Sequence, residues 1–133
     1  MGASKPRCLV FSPDRSLEPW IDSELDGETL IVQAALSARQ VVRALVDDPP
    51  PRAQLLITDF GSMSALDALL LHQLRERGWF GAIIAIGRLS PDLKTSLRID
   101  LVVRPHVRGA LRKVVANVNL DRPTVRIERV VRT

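Results

Sequence analysis

The chain has 133 residues, of which 46% are hydrophobic, 26% charged and 4% aromatic, and this composition suits one globular domain with an ordinary core. The hydrophobic share argues against a wholly disordered chain, and charged or amide residues interrupt every apolar run before it reaches the roughly 18 residues of a membrane span. The single cysteine, Cys8, excludes an internal disulfide, and the first residues lack the features of a signal peptide, so we expect a cytoplasmic protein.

The net charge of +4 is unevenly distributed along the chain. Residues 1–103 carry 11 Lys and Arg against 13 Asp and Glu, whereas residues 104–133 carry 8 against 2. Such a basic end can bind nucleic acid, an acidic protein or an anionic surface, or it can be a solvated tail. We predict a domain over residues 6–118 and a basic C-terminal tail or linker over 119–133, in which alternating apolar and charged residues can form a strand at 124–132.

The first half of the chain alternates between short apolar runs and amphipathic stretches. The predicted strands are Cys8–Phe11, Thr29–Gln33 and Gln54–Thr58. A helix is expected from Asp14, its N-cap, to about Leu25, with Leu17, Ile21 and Leu25 on one face and Trp20 beside them. A second helix follows the capping-box pair Ser37 and Gln40, runs through Val41, Val42 and Leu45, and ends at the prolines 49–51.

The second half continues the same alternation. Ser64 and Asp67 have capping-box spacing, and the helix after them carries Leu66, Leu69, Leu70 and Leu74 and ends at Gly78. Strands are predicted at Ala82–Ile86 and Asp100–Val103, with a short helix between them that starts at Ser90-Pro91-Asp92 and ends near Arg98. The last predicted helix spans His106–Val118, with six inward residues: Val107, Ala110, Leu111, Val114, Val115 and Val118.

This (βα)₅ order predicts an α/β fold, a doubly wound five-stranded parallel sheet in a three-layer sandwich, because strands that are apolar throughout belong in a sheet covered on both faces. The functional crevice of such a sheet lies at the carboxyl ends of its strands. The residues that the sequence places there are Ser12, Pro13, Asp14, Asp59, Gly87, Arg88 and Arg104.

Several kinds of site lack their sequence motif. The turn after the first strand has no glycine-rich dinucleotide motif, and no P-loop motif occurs anywhere. One Cys and two distant His do not form a metal-ligand cluster. We predict that His72 is an exposed or partly packed helical residue, that His106 lies on the surface and that Cys8 is buried in the core. No constellation supports enzymatic catalysis.

The strand order, the LLITD segment that ends in Asp59 and the VVRP segment of residues 102–105 resemble the receiver domains of bacterial two-component response regulators. The resemblance covers about residues 6–118. It implies that Asp59 holds the phosphoacceptor position, and that the Mg²⁺-binding acidic pair falls on Ser12 and Pro13, with Asp14 one place later. The Ser/Thr switch position falls on Gly87, its aromatic partner on Leu101, and the Lys position on Arg104.

Only Asp59 keeps the residue that the family uses, so the resemblance implies a degenerate receiver, or pseudo-receiver. Phosphorylation of a carboxylate brings negative charges together, and Mg²⁺ normally offsets them. We therefore expect no cofactor, with Mg²⁺ on Asp14 and Asp59 only as the weaker alternative. Asp59 is expected to pair with Arg104 or Arg88, or Arg104 with Asp14. The Arg104-Pro105 step is expected to be a backbone bend and is the candidate for a cis peptide.

Three functions remain open. The first is an interaction module that acts without phosphorylation, using the surface of the fourth helix, fifth strand and fifth helix for a protein partner or for self-association. The second is a working receiver that accepts phosphate at Asp59 from a histidine kinase. The third is a nucleic-acid-binding regulator that acts through the basic tail, which can also bind an acidic partner or lead to an output domain.

Overall fold

The computed structural model describes residues 6–28 and 30–118. Ten elements alternate along the chain and form one parallel sheet in the order β2-β1-β3-β4-β5. The strands are β1 Arg7–Phe11, β2 Ile31–Ala35, β3 Leu55–Asp59, β4 Ala82–Ile86 and β5 Leu101–Val103. The helices are α1 Glu18–Leu25, α2 Ala38–Val42 with a π-helical continuation Arg43–Asp47, α3 Ala65–Glu76, α4 Pro91–Ser96 and α5 Ala110–Asn117.

Helices cover both faces of the sheet, so the predicted three-layer α/β architecture is confirmed. One core cluster joins the sheet to α2, α3 and α4, and the other joins it to α1 and α5. The three central strands are buried along nearly their whole length, as their continuous apolar runs predict. The two edge strands are more exposed, because each has a neighbour on only one side.

The three helices with a serine N-cap begin where the sequence predicts. The Ser37, Ser64 and Ser90 hydroxyls accept hydrogen bonds from the backbone amides of Gln40, Asp67 and Leu93. These caps are local, and for that reason their sequence spacing is informative. On α3, however, Leu66 and Leu69 are exposed, and the buried face is formed by Ala68, Leu71 and Leu74.

The predicted starts of α1 and α5 are wrong. Asp14 does not cap α1, because Arg15 has a left-handed backbone (φ 63°) and the helix begins only at Glu18. Helix α5 begins at Ala110 rather than His106, since His106 (φ 64°) and Gly109 (φ 79°) are also left-handed. Val107 consequently lies outside the helix and is 45% exposed, instead of facing the core.

The β2 strand lies two residues later than predicted, at Ile31–Ala35, and Thr29 lies outside the described residues. Its register places Ile31 beside Arg7 and Ala35 beside Phe11. The tail at 119–133, with its possible strand at 124–132, also lies outside the described residues. No helix in the described ranges is long and apolar enough to cross a membrane.

Candidate functional site

The carboxyl edge of the sheet brings together four of the residues that the sequence placed there. Ser12 follows β1, Asp59 is the last residue of β3, Gly87 follows β4 and Arg104 follows β5. Parallel strands end at the same edge, so residues far apart in sequence meet there. Ser12 and Asp59 are 1% and 3% exposed, and they form the buried base of the candidate site.

The Asp59 carboxylate is held by three hydrogen bonds from neutral groups. Its Oδ1 atom accepts from the Gly61 amide at 2.8 Å, and its Oδ2 atom accepts from the Ser62 hydroxyl at 2.8 Å and the Ser12 hydroxyl at 3.4 Å. Two of the donors belong to the turn that follows Asp59. The chain thus wraps its own β3–α3 loop around the carboxylate and satisfies both of its oxygens.

The residues to which the resemblance assigns the acidic pair provide little negative charge. The Ser12 hydroxyl donates to Asp59 and also accepts from the Leu17 amide at 3.4 Å, which ties β1 to the start of α1. Pro13 has no side-chain donor or acceptor. Asp14 is exposed, and its Oδ1 atom accepts from the Ser16 amide at 2.9 Å. Hydrogen bonds from Ser16, with a smaller contribution from Ser62, lower the pKa of Asp14 below its ordinary value.

Gly87, to which the resemblance assigns the switch position, has a backbone conformation that favours glycine. Gly87 has φ 96°, and a Cβ atom placed on it would lie 3.3 Å from the Gly61 amide nitrogen. The Gly87 amide donates to the Val103 carbonyl at 3.0 Å, and the Phe60 amide donates to the Ile86 carbonyl at 2.9 Å. The β3–α3 loop therefore packs directly against the end of β4.

The expected pairing of Asp59 with an arginine is wrong. Arg88 and Arg104 are exposed or partly exposed, and neither forms an ion pair within the described residues. Asp59 is buried and already satisfied by neutral donors, so a guanidinium would have to give up water to reach it. The alternative pair of Arg104 with Asp14 is not formed either, because Asp14 turns back to Ser16.

The Arg104-Pro105 bond is trans, which corrects the candidate cis peptide. The cis bond of the described residues joins Pro50 to Pro51. The chain reverses after β5 through the left-handed His106 rather than through the proline bond. Leu101, to which the resemblance assigns the position of the aromatic partner, lies on the edge strand and is 39% exposed.

The donor set does not fit a Mg²⁺ ion of the kind that the receiver fold implies. Mg²⁺ binds through carboxylate oxygens in near-octahedral geometry. Asp59 is the one buried carboxylate at this edge, both of its oxygens accept hydrogen bonds, and Asp14 is turned toward Ser16. Across residues 6–28 and 30–118, no group of three or more His, Cys, Asp or Glu side chains could hold a metal ion.

Beside the site, an open groove of about 740 Å³ runs along the outer face of β5. We call it the β5 groove; its lining residues are Gly87, Arg88, Leu89, Val102, Val103, Arg104, Pro105 and Val107. Val102 and Val107 are 43% and 45% exposed, so part of its wall is apolar. The groove thus combines exposed valines with the guanidinium groups of two arginines.

The remaining candidate residues have structural surroundings. The His72 Nδ1 atom contacts the Ala68 carbonyl at 2.9 Å and its Nε2 atom contacts the Ser96 hydroxyl at 2.8 Å, so this partly buried residue joins α3 to α4. His106 is exposed and lies 6.0 Å from Trp20 between ring centroids. Cys8 is 1% exposed, as predicted for a core cysteine, and burial raises the pKa of its thiol to about 12.

The sequence did not identify Ser62 and Gly61 as the partners of Asp59. The signal was present in the DFGS segment, because a serine three residues after a buried aspartate can fold back onto it. The sequence also gave no sign of Glu24, whose buried carboxylate accepts hydrogen bonds from the Gly109 and Leu111 amides at 2.9 and 3.0 Å. No local pattern could reveal that contact, since it spans 85 residues or more.

No family model and no curated protein matches the chain. Solved structures do match it. The receiver domain of a putative LuxO repressor from Vibrio parahaemolyticus is 18% identical, with 98% of this chain and 99% of that chain covered and a TM-score of 0.69. Chemotaxis protein CheY4 from Vibrio cholerae is 14% identical, with 87% and 100% covered and a TM-score of 0.69.

A third match is the response regulator TrrA from Thermotoga maritima, solved in complex with Mg²⁺ and BeF. It is 16% identical, with 84% of this chain and 96% of that chain covered and a TM-score of 0.65. These identities are low, but the matches extend over nearly the whole of each solved chain. The chain therefore has the fold of CheY-like response regulator receiver domains.

Proposed function

We propose that the chain is a signal-transduction module that binds a protein partner and acts without Mg²⁺-dependent phosphorylation of Asp59. The observation that carries this proposal is the state of Asp59, whose two oxygens accept hydrogen bonds from Gly61, Ser62 and Ser12. A phosphoryl group on either Asp59 oxygen would have to displace the donors that this oxygen accepts from. It would also add negative charge at an edge where, within the described residues, Arg88 and Arg104 form no ion pair with Asp59 and no carboxylate cluster could hold a metal ion.

The loss of the switch residues supports the same proposal. Gly87 has no hydroxyl with which to bind a phosphoryl oxygen, and Leu101 replaces the aromatic residue that would move with it. Arg104 lies at the Lys position but is exposed and does not pair with Asp59. A receiver fold with this site would present the same binding surface at all times, instead of switching between an unphosphorylated and a phosphorylated form.

The test is intact-protein mass spectrometry after incubation with acetyl phosphate, with and without Mg²⁺. We expect no gain of a phosphoryl group in either sample. A receiver domain that accepts phosphate from acetyl phosphate, treated in parallel, shows that the reagent is active. A gain that needs Mg²⁺ and disappears in Asp59→Asn would overturn the proposal and establish the second candidate, a working receiver phosphorylated at Asp59.

We place the partner on the β5 groove, within the surface formed by α4, β5 and α5. Arg88 and Arg104 form no ion pair within the described residues, and Val102 and Val107 are exposed between the ends of α4 and α5. Two copies of this surface would bring like charges together, so it suits a different protein better than self-association. The complementary partner is an acidic segment with apolar residues in alternation.

This placement predicts that a peptide of alternating Asp and Leu residues shifts the backbone NMR signals of Val102 and Val107. We expect the binding to weaken as salt is added and to be lost in the double variant Arg88→Glu, Arg104→Glu. The matched control is Arg43→Glu, which reverses an exposed charge on the helical segment after α2. Shifts that persist in the double variant, or that fall on β2, would refute this placement.

The third candidate function, nucleic-acid binding through residues 119–133, concerns a segment outside the described residues and stays a prediction. An output domain beyond this tail also stays a prediction. Salt-dependent retention of DNA by the full chain, absent when residues 119–133 are removed, is the measurement that would support the nucleic-acid function.

A further inference from the structure

The outer edge of β2 is open to solvent. Val32, Gln33 and Ala34 are all exposed, although consecutive residues of a strand point to opposite faces. Both faces of the strand are therefore open at its centre. The segment IVQAA has no charge, no proline and no bulge, which are the features that usually keep an edge strand from pairing with another chain.

The backbone of β2 has two residues whose polar groups point outward. The Ile31 amide donates to the Pro6 carbonyl at 2.9 Å, so Ile31 faces β1. In a parallel ladder the residues that face one neighbour alternate, so Gln33 and Ala35 also face β1, while Val32 and Ala34 face away. The next outward amide, that of Leu36, is taken by the Gln40 side chain at 2.6 Å.

These two residues define one self-complementary register that pairs each of them with the other. If a second copy pairs with β2 in the antiparallel direction, Val32 of each copy exchanges two backbone hydrogen bonds with Ala34 of the other copy. The two-fold axis then passes beside Gln33. The pairing satisfies the four outward backbone groups of each copy with four hydrogen bonds.

The same register matches the side chains. Leu30, Val32, Ala34 and Leu36 follow each other at every second residue on one face, and Leu36 is 65% exposed. Leu30 would lie opposite Leu36 of the second copy, and Val32 opposite its Ala34. Glu28 precedes the strand and Arg39 follows it at the start of α2, so antiparallel pairing brings the acidic end of one strand toward the basic end of the other.

We propose that the chain forms a two-fold symmetric homodimer in which the β2 strands of two copies pair antiparallel about Gln33 and create one continuous ten-stranded sheet. The other edge, β5, is three residues long and lies beside Arg88 and Arg104, so self-pairing there would oppose like charges. Dimerisation through β2 leaves the β5 groove of each copy free. The inference does not depend on the phosphorylation state of Asp59.

The first test is the oligomeric state of the full chain by sedimentation equilibrium over a series of concentrations. We expect a monomer–dimer equilibrium that shifts to monomer in Val32→Lys, which places two cations next to the axis. The matched control Val102→Lys changes the other edge strand and should leave the dimer intact. A wild-type chain that is monomeric at every concentration, or a dimer that Val102→Lys disrupts and Val32→Lys does not, would overturn the proposal.

The second test checks the register. Directly opposed residues that share no hydrogen bonds lie about 4.5 Å apart between Cα atoms in an antiparallel pair, within the roughly 4.4–6.8 Å that a disulfide spans. Gln33→Cys should therefore form a covalent dimer under mild oxidation, while Val102→Cys should not. Cys8 does not interfere, because it is 1% exposed. Equal cross-linking of the two variants would contradict the register.

A charge reversal provides an independent check. Glu28→Arg and Arg39→Glu should each weaken the dimer, because each puts like charges together at both ends of the paired strands. The double variant should restore it to near the wild-type dissociation constant. No rescue in the double variant would rule out the antiparallel arrangement, even if the chain dimerises in another way.

Discussion

At the scale of single residues, Gly61 and Gly87 shape the site at the carboxyl edge as much as Asp59 does. Gly61 donates its amide to Asp59, and a Cβ atom on it would lie 3.1 Å from the Asp59 Oδ1 atom. Gly87 packs against Gly61 with a left-handed backbone. A side chain at either position would be crowded, so these glycines let the β3–α3 loop close over the carboxylate.

This packing predicts that Gly87→Ser does not restore a receiver switch. A serine there must adopt φ near 96° and place its Cβ atom 3.3 Å from the Gly61 nitrogen. We expect the free energy of unfolding to fall by about 1–3 kcal/mol. Urea denaturation measures this change, and the acetyl phosphate assay should still show no phosphoryl gain.

The matched control for that variant is Gly27→Ser. Gly27 has a similar φ of 86° but nothing within 4 Å of an added Cβ atom, so this variant has only the cost of the left-handed backbone. Gly87→Ser should be the more destabilised of the two. Equal losses would mean that the contact with Gly61 contributes nothing to the closed pocket.

At the scale of elements, α1 and α5 cap each other's ends. The Glu24 carboxylate accepts from the amides of Gly109, Leu111 and Arg112 at the start of α5. In return, the Arg112 guanidinium donates to the carbonyls of Ser23, Glu24 and Asp26 at the end of α1. A negative group at a helix N-terminus and a positive group at a helix C-terminus both interact favourably with the helix dipole. The pair fixes α5 against α1.

We expect Glu24→Gln to lower the free energy of unfolding at neutral pH by about 1–3 kcal/mol, since hydrogen bonds to a charged acceptor are stronger than neutral ones. Burial by itself would raise the pKa of Glu24, but the amides of Gly109, Arg112 and Leu111 and the charge of Arg112 outweigh it, and the pKa lies below its ordinary value. The carboxylate therefore stabilises the fold above the unfolded-state pKa, and this stability is lost as the pH falls through the folded-state pKa.

Urea denaturation at neutral pH and at about pH 3.5 tests this dependence. The wild type should lose more stability on acidification than Glu24→Gln, which has no carboxylate to protonate. Asp22→Asn is the control, because Asp22 is an exposed acid on the same helix. If Asp22→Asn removes as much of the pH dependence as Glu24→Gln, the capping account is wrong.

At the scale of the whole molecule, the buried central strands separate two independent layers of helices. Cys8 lies in the first of these strands, within the core cluster of α1 and α5. Burial raises the pKa of its thiol to about 12, so the reactive thiolate is scarce at neutral pH and also shielded from solvent.

Cys8 should therefore report the opening of the whole domain. We expect no reaction with a thiol reagent in the native protein at neutral pH, and complete reaction after urea unfolding. In dilute solution, where the dimer dissociates, the exposed thiol of Gln33→Cys should react at once. Rapid labelling of Cys8 in the native wild type would mean that β1 opens locally.

The sequence by itself determined the order of the strands and helices, the starts of α2, α3 and α4, and the placing of Asp59 at the carboxyl edge. These features depend on periodicity, on serine caps within three residues and on the rule that parallel strands end together. The tertiary structure alone decided the partners of Asp59, the late starts of α1 and α5, and the open edge of β2. Arg15 and His106 have left-handed backbones in turns tied to the rest of the fold, and Glu24 reaches α5 across 85 residues. Contacts between residues so far apart in sequence leave no local pattern, because they arise only when the elements pack.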